Sequence, residues 1–286
     1  MFLALDLALN KPLLILLFCA FNCKATIFPS SQGAVSLSLG TISSFKSDPF
    51  SAYNHQGSLA FAKQNSISLG FQSQYFVEGL NHACLAANYK VSKTQVLGLG
   101  YSFFGNQHYN EGLLKLSVAK KFSSNFGGGI SLDYSRLQLP KENYPVKHLL
   151  TFEAAIYSSF NSNFDFALQV INPARVSISN YNDERLPFIT NTSFFYKSSS
   201  KIILMAEWNQ IMNGKGNLKV GVNYQATKNL TIKAGVFNKP ANPSFGISYK
   251  TKDITVNLAF AMHPYLNAIS AGAITFSPGI AKDEKI

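Results

Sequence analysis

The chain has 286 residues, of which 14% are charged and 13% aromatic, and it carries a formal net charge of +11. Few charges and many aromatics, set among Ser, Asn and Gly, suit alternating strands joined by polar turns and argue against a disordered chain. A disulfide framework is excluded, because Cys19 and Cys23 fall in a leader segment and leave only Cys84.

Residues 1–25 read as a secretory signal peptide. Lys11 precedes the apolar run 12–21, and Cys23-Lys24-Ala25 offers small residues before a cut near Ala25. The run falls short of the roughly 20 apolar residues of a spanning helix, and neither leader cysteine has the small residues a lipoprotein signal wants before it. With the signal removed, nearly all the positive charge remains. Its lysines are scattered at strand ends and turns, with no basic helix or aromatic-basic motif, which points away from nucleic acid. Anionic membrane components, outer-membrane lipid and lipopolysaccharide, are the expected counterpart.

Residues 26–63 form an N-terminal segment without a steady period, expected in the periplasm or the lumen; within it 33–39 reads as a short strand. From 64 to 276 apolar and polar residues alternate with a period of two, as a half-buried strand requires. The predicted strands are 66–74, 80–90, 94–104, 109–121, 126–137, 146–159, 163–172, 188–197, 201–211, 217–226, 229–238, 244–250, 253–262 and 268–276. Their lengths cluster near the roughly 9 to 11 residues that a tilted strand needs to cross a bilayer. Residues 277–286 are left as a C-terminal periplasmic tail.

The connections alternate. Tight turns such as 91–93, 122–125, 160–162 and 251–252 follow even-numbered strands, and longer loops such as 138–145 and 173–187 follow odd-numbered ones. A soluble sandwich or propeller would alternate in polarity too, but neither needs strands of bilayer length or loops sorted by side. The expected fold is therefore all-β: a transmembrane antiparallel β-barrel of about fourteen strands with an N-terminal plug-like segment, integral to a bacterial outer membrane, both termini periplasmic.

Alternation also assigns faces. Leu114, Leu116 and Val118, with Ile130, Leu132 and Tyr134 on the next strand, typify the lipid face, and Trp208 belongs to an interfacial aromatic belt. The opposite phase collects Lys115, Asp133, Glu153, Asp165, Glu207, Lys219 and Lys233, expected to form a lumen-filling charge network. Gly127-Gly128-Gly129 reads as a bend or bulge in the wall. In the longest loop, Asp183, Glu184 and Arg185 are a candidate partner-binding site.

No nucleophile elbow, phosphate-binding loop or dinucleotide fingerprint is present. The histidines never fall at metal-ligand spacings, and His82, His108, His148 and His263 are expected to be solvated near loop ends. No catalytic residue, metal or cofactor is assigned, and the chain reads as non-enzymatic.

The run 48–60, Asp-Pro-Phe-Ser-Ala-Tyr-Asn-His-Gln-Gly-Ser-Leu-Ala, resembles the N-terminal signature of PorV/PorQ-like outer-membrane proteins of Bacteroidota, relatives of the FadL fatty-acid transporters; Asp48, Asn54, Gly57 and Leu59 carry the motif. Phe104-Gly105-Asn106, Tyr109-Asn110-Glu111 and the stretch 182–187 are similar to small members of the same group. The resemblance implies a fourteen-stranded barrel whose N-terminal segment folds into or beneath the lumen. Family members include lipid-uptake channels and shuttle and gate components of type IX secretion. His55-Gln56 stand where the family pattern has Pro-Ala, the loops are short, and a tail follows Phe276. On this reading the first expectation is a partner or scaffold subunit of an envelope complex, with type IX secretion the association the resemblance suggests. A channel for hydrophobic small molecules is second, and a passive aqueous pore third.

Overall fold

A computed structural model of the chain describes residues 31–46, 48–139, 145–179, 184–237 and 241–278. The signal 1–25, Asp183 and most of the tail lie outside the described residues.

Among the described residues sixteen strands follow the N-terminal segment: β1 (Ser66–Gln74), β2 (Asn81–Lys90), β3 (Gln95–Gly105), β4 (Asn110–Lys121), β5 (Phe126–Gln138), β6 (Lys147–Ser159), β7 (Phe164–Ile171), β8 (Ser177–Ser179), β9 (Glu184–Arg185), β10 (Ile189–Lys197), β11 (Ile202–Ile211), β12 (Asn217–Gln225), β13 (Leu230–Phe237), β14 (Asn242–Lys250), β15 (Ile254–His263) and β16 (Asn267–Phe276). Fourteen of them close into one barrel, each antiparallel to its neighbours in sequence order, and β1 meets β16 from Ile67 against Phe276 to Gln74 against Ile269. Closure gives every strand two partners, so no edge faces lipid. The predicted boundaries hold to within two residues. The two strands not foreseen, β8 and β9, form a small hairpin inside the longest loop.

The outward phase is apolar. Leu116, Leu132, Leu150 and Leu258 are each half exposed or more, an arrangement that costs dearly in water and nothing in hydrocarbon. The inward phase is buried. Trp208, 48% exposed, stands on the outer face beside the inward Glu207 as the alternation requires.

Six short turns at one end share one device. Ser92, Ser123, Asn161, Ser199, Thr227 and Thr251 each use the side-chain oxygen to accept the N–H three residues on, at 3.0, 3.0, 2.8, 3.2, 3.0 and 3.3 Å. The small polar side chain thus replaces a backbone acceptor and fixes the reversal.

At the long-loop end the wall steps down. β7 stops at Ile171, opposite Glu153, while β6 runs on to Lys147. Asn172 makes the step: its backbone turns to a φ of 51°, its Oδ1 accepts from Thr151 Oγ1 at 2.7 Å, and its Nδ2 donates to Leu186 O at 2.8 Å. The loop's return is thereby drawn back to the rim, and Leu186 is buried.

The wall predicts its own solvent. Leu132→Arg, at mid-height on the outer face, is expected to lower stability in lipid vesicles by about 2 to 4 kcal/mol, read from denaturant unfolding followed by gel mobility, whereas Lys252→Gln in a turn should change it little.

Candidate functional site

The lumen holds the segment that precedes β1. Its described residues contain three short helices, α1 (Ala34–Ser38), α2 (Ser51–Asn54) and α3 (Gln56–Leu59). Helices this short have no stability of their own and are held by packing. The strand expected over 33–39 is thus a helix. Val35, Leu37 and Leu39 are buried together with Ser36 and Ser38, because the lumen surrounds the segment on all sides.

Small wall residues admit the segment. Leu37, Phe50, Ala52 and Leu59 pack against Ala86, Ala119, Ala259, Ala261, Ala271 and Ala273, while Val35, Leu39, Ile42 and Phe45 meet Tyr157, Ala167, Phe195 and Met205. At Gly235 the fit is closest: a Cβ there would lie 2.2 Å from Gly40 N. On the plug side, a Cβ on Gly57 would lie 2.6 Å from the carbonyl carbon of Ile156. The triplet 127–129 is not a bulge, since β5 pairs with β4 without a register shift. Instead Gly127 and Gly129 face α3, where Ala60 and Gln56 take the space a side chain would need.

Two buried charge clusters tie the plug to the wall. Lys115 Nζ donates to Glu153 Oε1 at 2.6 Å, stands 4.0 Å from Asp133 Oδ2, and lies 4.6 Å from the ring centre of Tyr53. Glu153 Oε2 then accepts from Gln56 Nε2 at 3.0 Å and Gln169 Nε2 at 2.9 Å, and Gln169 donates to Asn54 O at 2.9 Å. In the second cluster Lys219 Nζ donates to Glu207 Oε1 at 2.7 Å and to Thr41 O at 2.8 Å. Glu207 Oε2 accepts from the Ser43 N–H and hydroxyl, both at 2.9 Å, and from Ser193 Oγ at 3.0 Å. Each ion pair therefore satisfies itself on the wall and spends its remaining capacity on plug atoms.

The other predicted lumen charges do not join these clusters. Asp165 pairs with Lys197 at 2.6 Å and accepts from Tyr157 Oη at 2.8 Å, near the short turns. Lys233 donates to Ser248 Oγ. So five of the seven residues form two plug-binding clusters joined through Asn191, which donates to Gln169 Oε1 at 3.0 Å and to Ser43 Oγ at 3.5 Å, while Asp165 and Lys233 occupy separate sites.

The motif residues hold the plug's own shape. Asn54 Nδ2 donates to Asp48 Oδ2 at 2.7 Å and to Gln32 O at 2.9 Å, and its Oδ1 accepts from Gln32 N at 2.8 Å. Burial raises Asp48 to about 6, against the pull of the Phe50 N–H, the Asn54 amide and Lys233. His55 caps α3, its Nδ1 accepting from the Ser58 N–H at 3.0 Å, and burial lowers it to about 4, so the ring is neutral at pH 7. Leu59 is fully buried in the plug core.

His82 departs from expectation. It is buried, hydrogen-bonded to Gln74 at 2.7 Å and stacked on Phe104, because it falls on the inward phase of β2. Glu184 and Arg185 are exposed in β9. The plug serines, Tyr157, Gln169, Asn172 and Lys197 were not singled out in the sequence, where nothing sets a Ser-Ser pair or a lone Gln apart. Among the described residues no three His, Cys, Asp or Glu gather as a metal site.

No family model matches the sequence, and no curated protein does. Solved structures do match. The CymD monoaromatic hydrocarbon channel superposes with a TM-score of 0.66 at 11% identity, over 87% of this chain and 98% of that one. The toluene transporter TbuX of Ralstonia pickettii gives 0.67 at 10%, over 87% and 98%, and a FadL homologue of Pseudomonas aeruginosa gives 0.62 at 10%, over 87% and 99%. The chain has the fold of the FadL-type barrels.

Gly235→Val is expected to leave the barrel intact, judged by heat-dependent gel mobility, while unseating the plug and opening residues 31–63 to added protease. Glu207→Gln is expected to cost about 3 to 5 kcal/mol by leaving Lys219 buried and unpaired, and Glu207→Gln with Lys219→Met should recover much of that loss in the same denaturant titration.

Proposed function

We propose that the chain is an outer-membrane channel for small hydrophobic molecules, closed in this conformation by its own N-terminal segment, with the short turns and both termini in the periplasm. The observation that carries it is the likeness of the closed barrel, over 87% of the chain, to a monoaromatic hydrocarbon channel and a toluene transporter. The order of the first two expectations is thereby reversed, and the channel now stands ahead of the scaffold. The plug's attachment supports it physically. The charged groups that its polar contacts reach, Glu153, Glu207 and Lys219, face the lumen, where water can resolvate them, so displacing the plug strands no ion in lipid. The barrel ladder is unbroken around the ring, which makes plug movement the route through the lumen.

A second reading, a partner or scaffold subunit of an envelope complex related to the PorV/PorQ-like group, draws on one feature: the plug fills the barrel's waist with apolar residues from both walls, as a permanently closed barrel would require.

Ser44 Oγ and Ser193 Oγ are 2.6 Å apart across the plug–wall boundary. With Ser44→Cys and Ser193→Cys, uptake of a labelled monoaromatic hydrocarbon by cells with a lipopolysaccharide outer membrane should stop on oxidation and return on reduction. Uptake equal to that of cells lacking the protein, in both redox states, would defeat the channel reading. A stoichiometric protein recovered with the solubilised barrel would then favour the scaffold.

A further inference from the structure

Beneath the plug, between the short turns, lies a recess of about 670 Å³ that the charge clusters above do not use. Its walls carry Lys46, Lys63, Lys197, Lys228, Lys233 and Lys250, against only two carboxylates, Asp48 and Asp165. Asp165 is taken by Lys197, and Asp48 by the Phe50 N–H and Asn54. The other lysines make no salt bridge among the described residues. Lys46 rests over the Phe61 ring at 3.8 Å, an arrangement that holds a cation without neutralising it.

The buried side of the recess is a chain of donors. Lys233, 4% exposed, donates to Ser248 Oγ, and Ser248 donates to Asn257 Oδ1. An ammonium group can only donate, so the Ser248 hydroxyl passes its proton onward and the Asn257 carbonyl oxygen must face it. That fixes the amide: Asn257 Nδ2, on a residue 2% exposed, is left with no acceptor. Lys233 also faces the Asp48 carboxyl, which the Phe50 N–H and Asn54 already hold. Across the same recess Asn88 Oδ1 is a buried acceptor without a donor. Unmet buried donors beside excess positive charge are costly unless a ligand meets them.

We propose that this recess binds a small oxyanion, a phosphate or carboxylate group, with Lys233 and Asn257 as its direct donors and Lys46, Lys63, Lys228 and Lys250 supplying the field that draws it in. A protonated or hydroxyl-bearing ligand oxygen would satisfy Asn88. The turn lysines Lys90, Lys93, Lys201 and Lys252 extend the positive field around the mouth, where a low-dielectric rim concentrates it. This goes beyond the channel reading and stands or falls separately from it.

The test is calorimetric titration of the full-length protein, in phosphatidylcholine nanodiscs at pH 7 and low salt, with inorganic phosphate. Saturable one-to-one binding is expected, weakened at least about tenfold by Asn257→Asp or Lys233→Gln, as loss of a charge-assisted donor implies, and left unchanged by Lys147→Gln at the long-loop end. Lys46→Gln, at a half-exposed position, should also weaken it and keeps the test decisive if the buried variants do not fold. Absence of phosphate binding, together with a phosphatidylglycerol adduct in native mass spectra that Asn257→Asp abolishes, would place the oxyanion on a lipid headgroup and still uphold the site. Non-saturable heats with no adduct would overturn it, as would equal weakening by Lys147→Gln, which would reduce the effect to a diffuse field.

Discussion

The close approach between the N-terminal segment and the inner wall is the constraint on which the rest depends. A ring of fourteen strands encloses more space than its own inward side chains fill, and here the wall turns small where the segment must pass. Gly235 lets the Gly40 backbone in, and Ala259, Ala261, Ala271 and Ala273 form a smooth floor for Leu37 and Phe50. The hydrophobic core of this protein is therefore the plug and the wall together. Outside the ring the relation is inverted, and the large apolar side chains meet lipid.

That inversion explains the placing of charge. Lys115, Glu153, Glu207 and Lys219 sit at the waist, where burial would be prohibitive without partners, and each pair uses plug atoms to complete its hydrogen bonds. Buried ion pairs add little net stability over an apolar packing, but they impose a definite seat: a plug shifted by one residue would leave carboxylates unmet. The same groups face water if the plug is withdrawn. A barrel that seats its plug mainly by polar specificity on one side and by alanine-lined packing on the other is suited to hold a closed state that can be released.

The two ends of the barrel differ in chemistry as well as in loop length. The short-turn end gathers lysines around a polar recess, while the long-loop end folds Asn172 and Leu186 inward over the rim. On the channel reading, a hydrophobic permeant entering past the long loops would meet the plug before the lysine-lined recess, so the proposed anion site and the proposed entry lie on opposite sides of the plug.

Strand number, strand limits and the two faces of each strand were legible because each depends only on a period of two and on turn residues such as Ser123 and Thr227, which act within three positions of themselves. The lumen address of Lys115, Asp133 and Glu153 followed from the same phase. Partners were not legible. Asp165 binds Lys197 and not the waist cluster, His82 is buried, and Gly127 and Gly129 make room for α3 where the sequence suggested a bulge. Those outcomes depend on which strands lie opposite a segment remote in sequence. For the same reason the segment 33–39, expected as a short strand, is the helix α1: inside the lumen Val35 and Ser36 are buried alike, and packing sets its form. A membrane-spanning ring is legible from the chain alone, since it is a sum of local patterns, and the motif at 48–60 added the expectation of a plug-like segment. Where that segment seats, and which wall residues receive it, came from the fold, because it rests on contacts between positions about two hundred apart, such as Gly40 with Gly235.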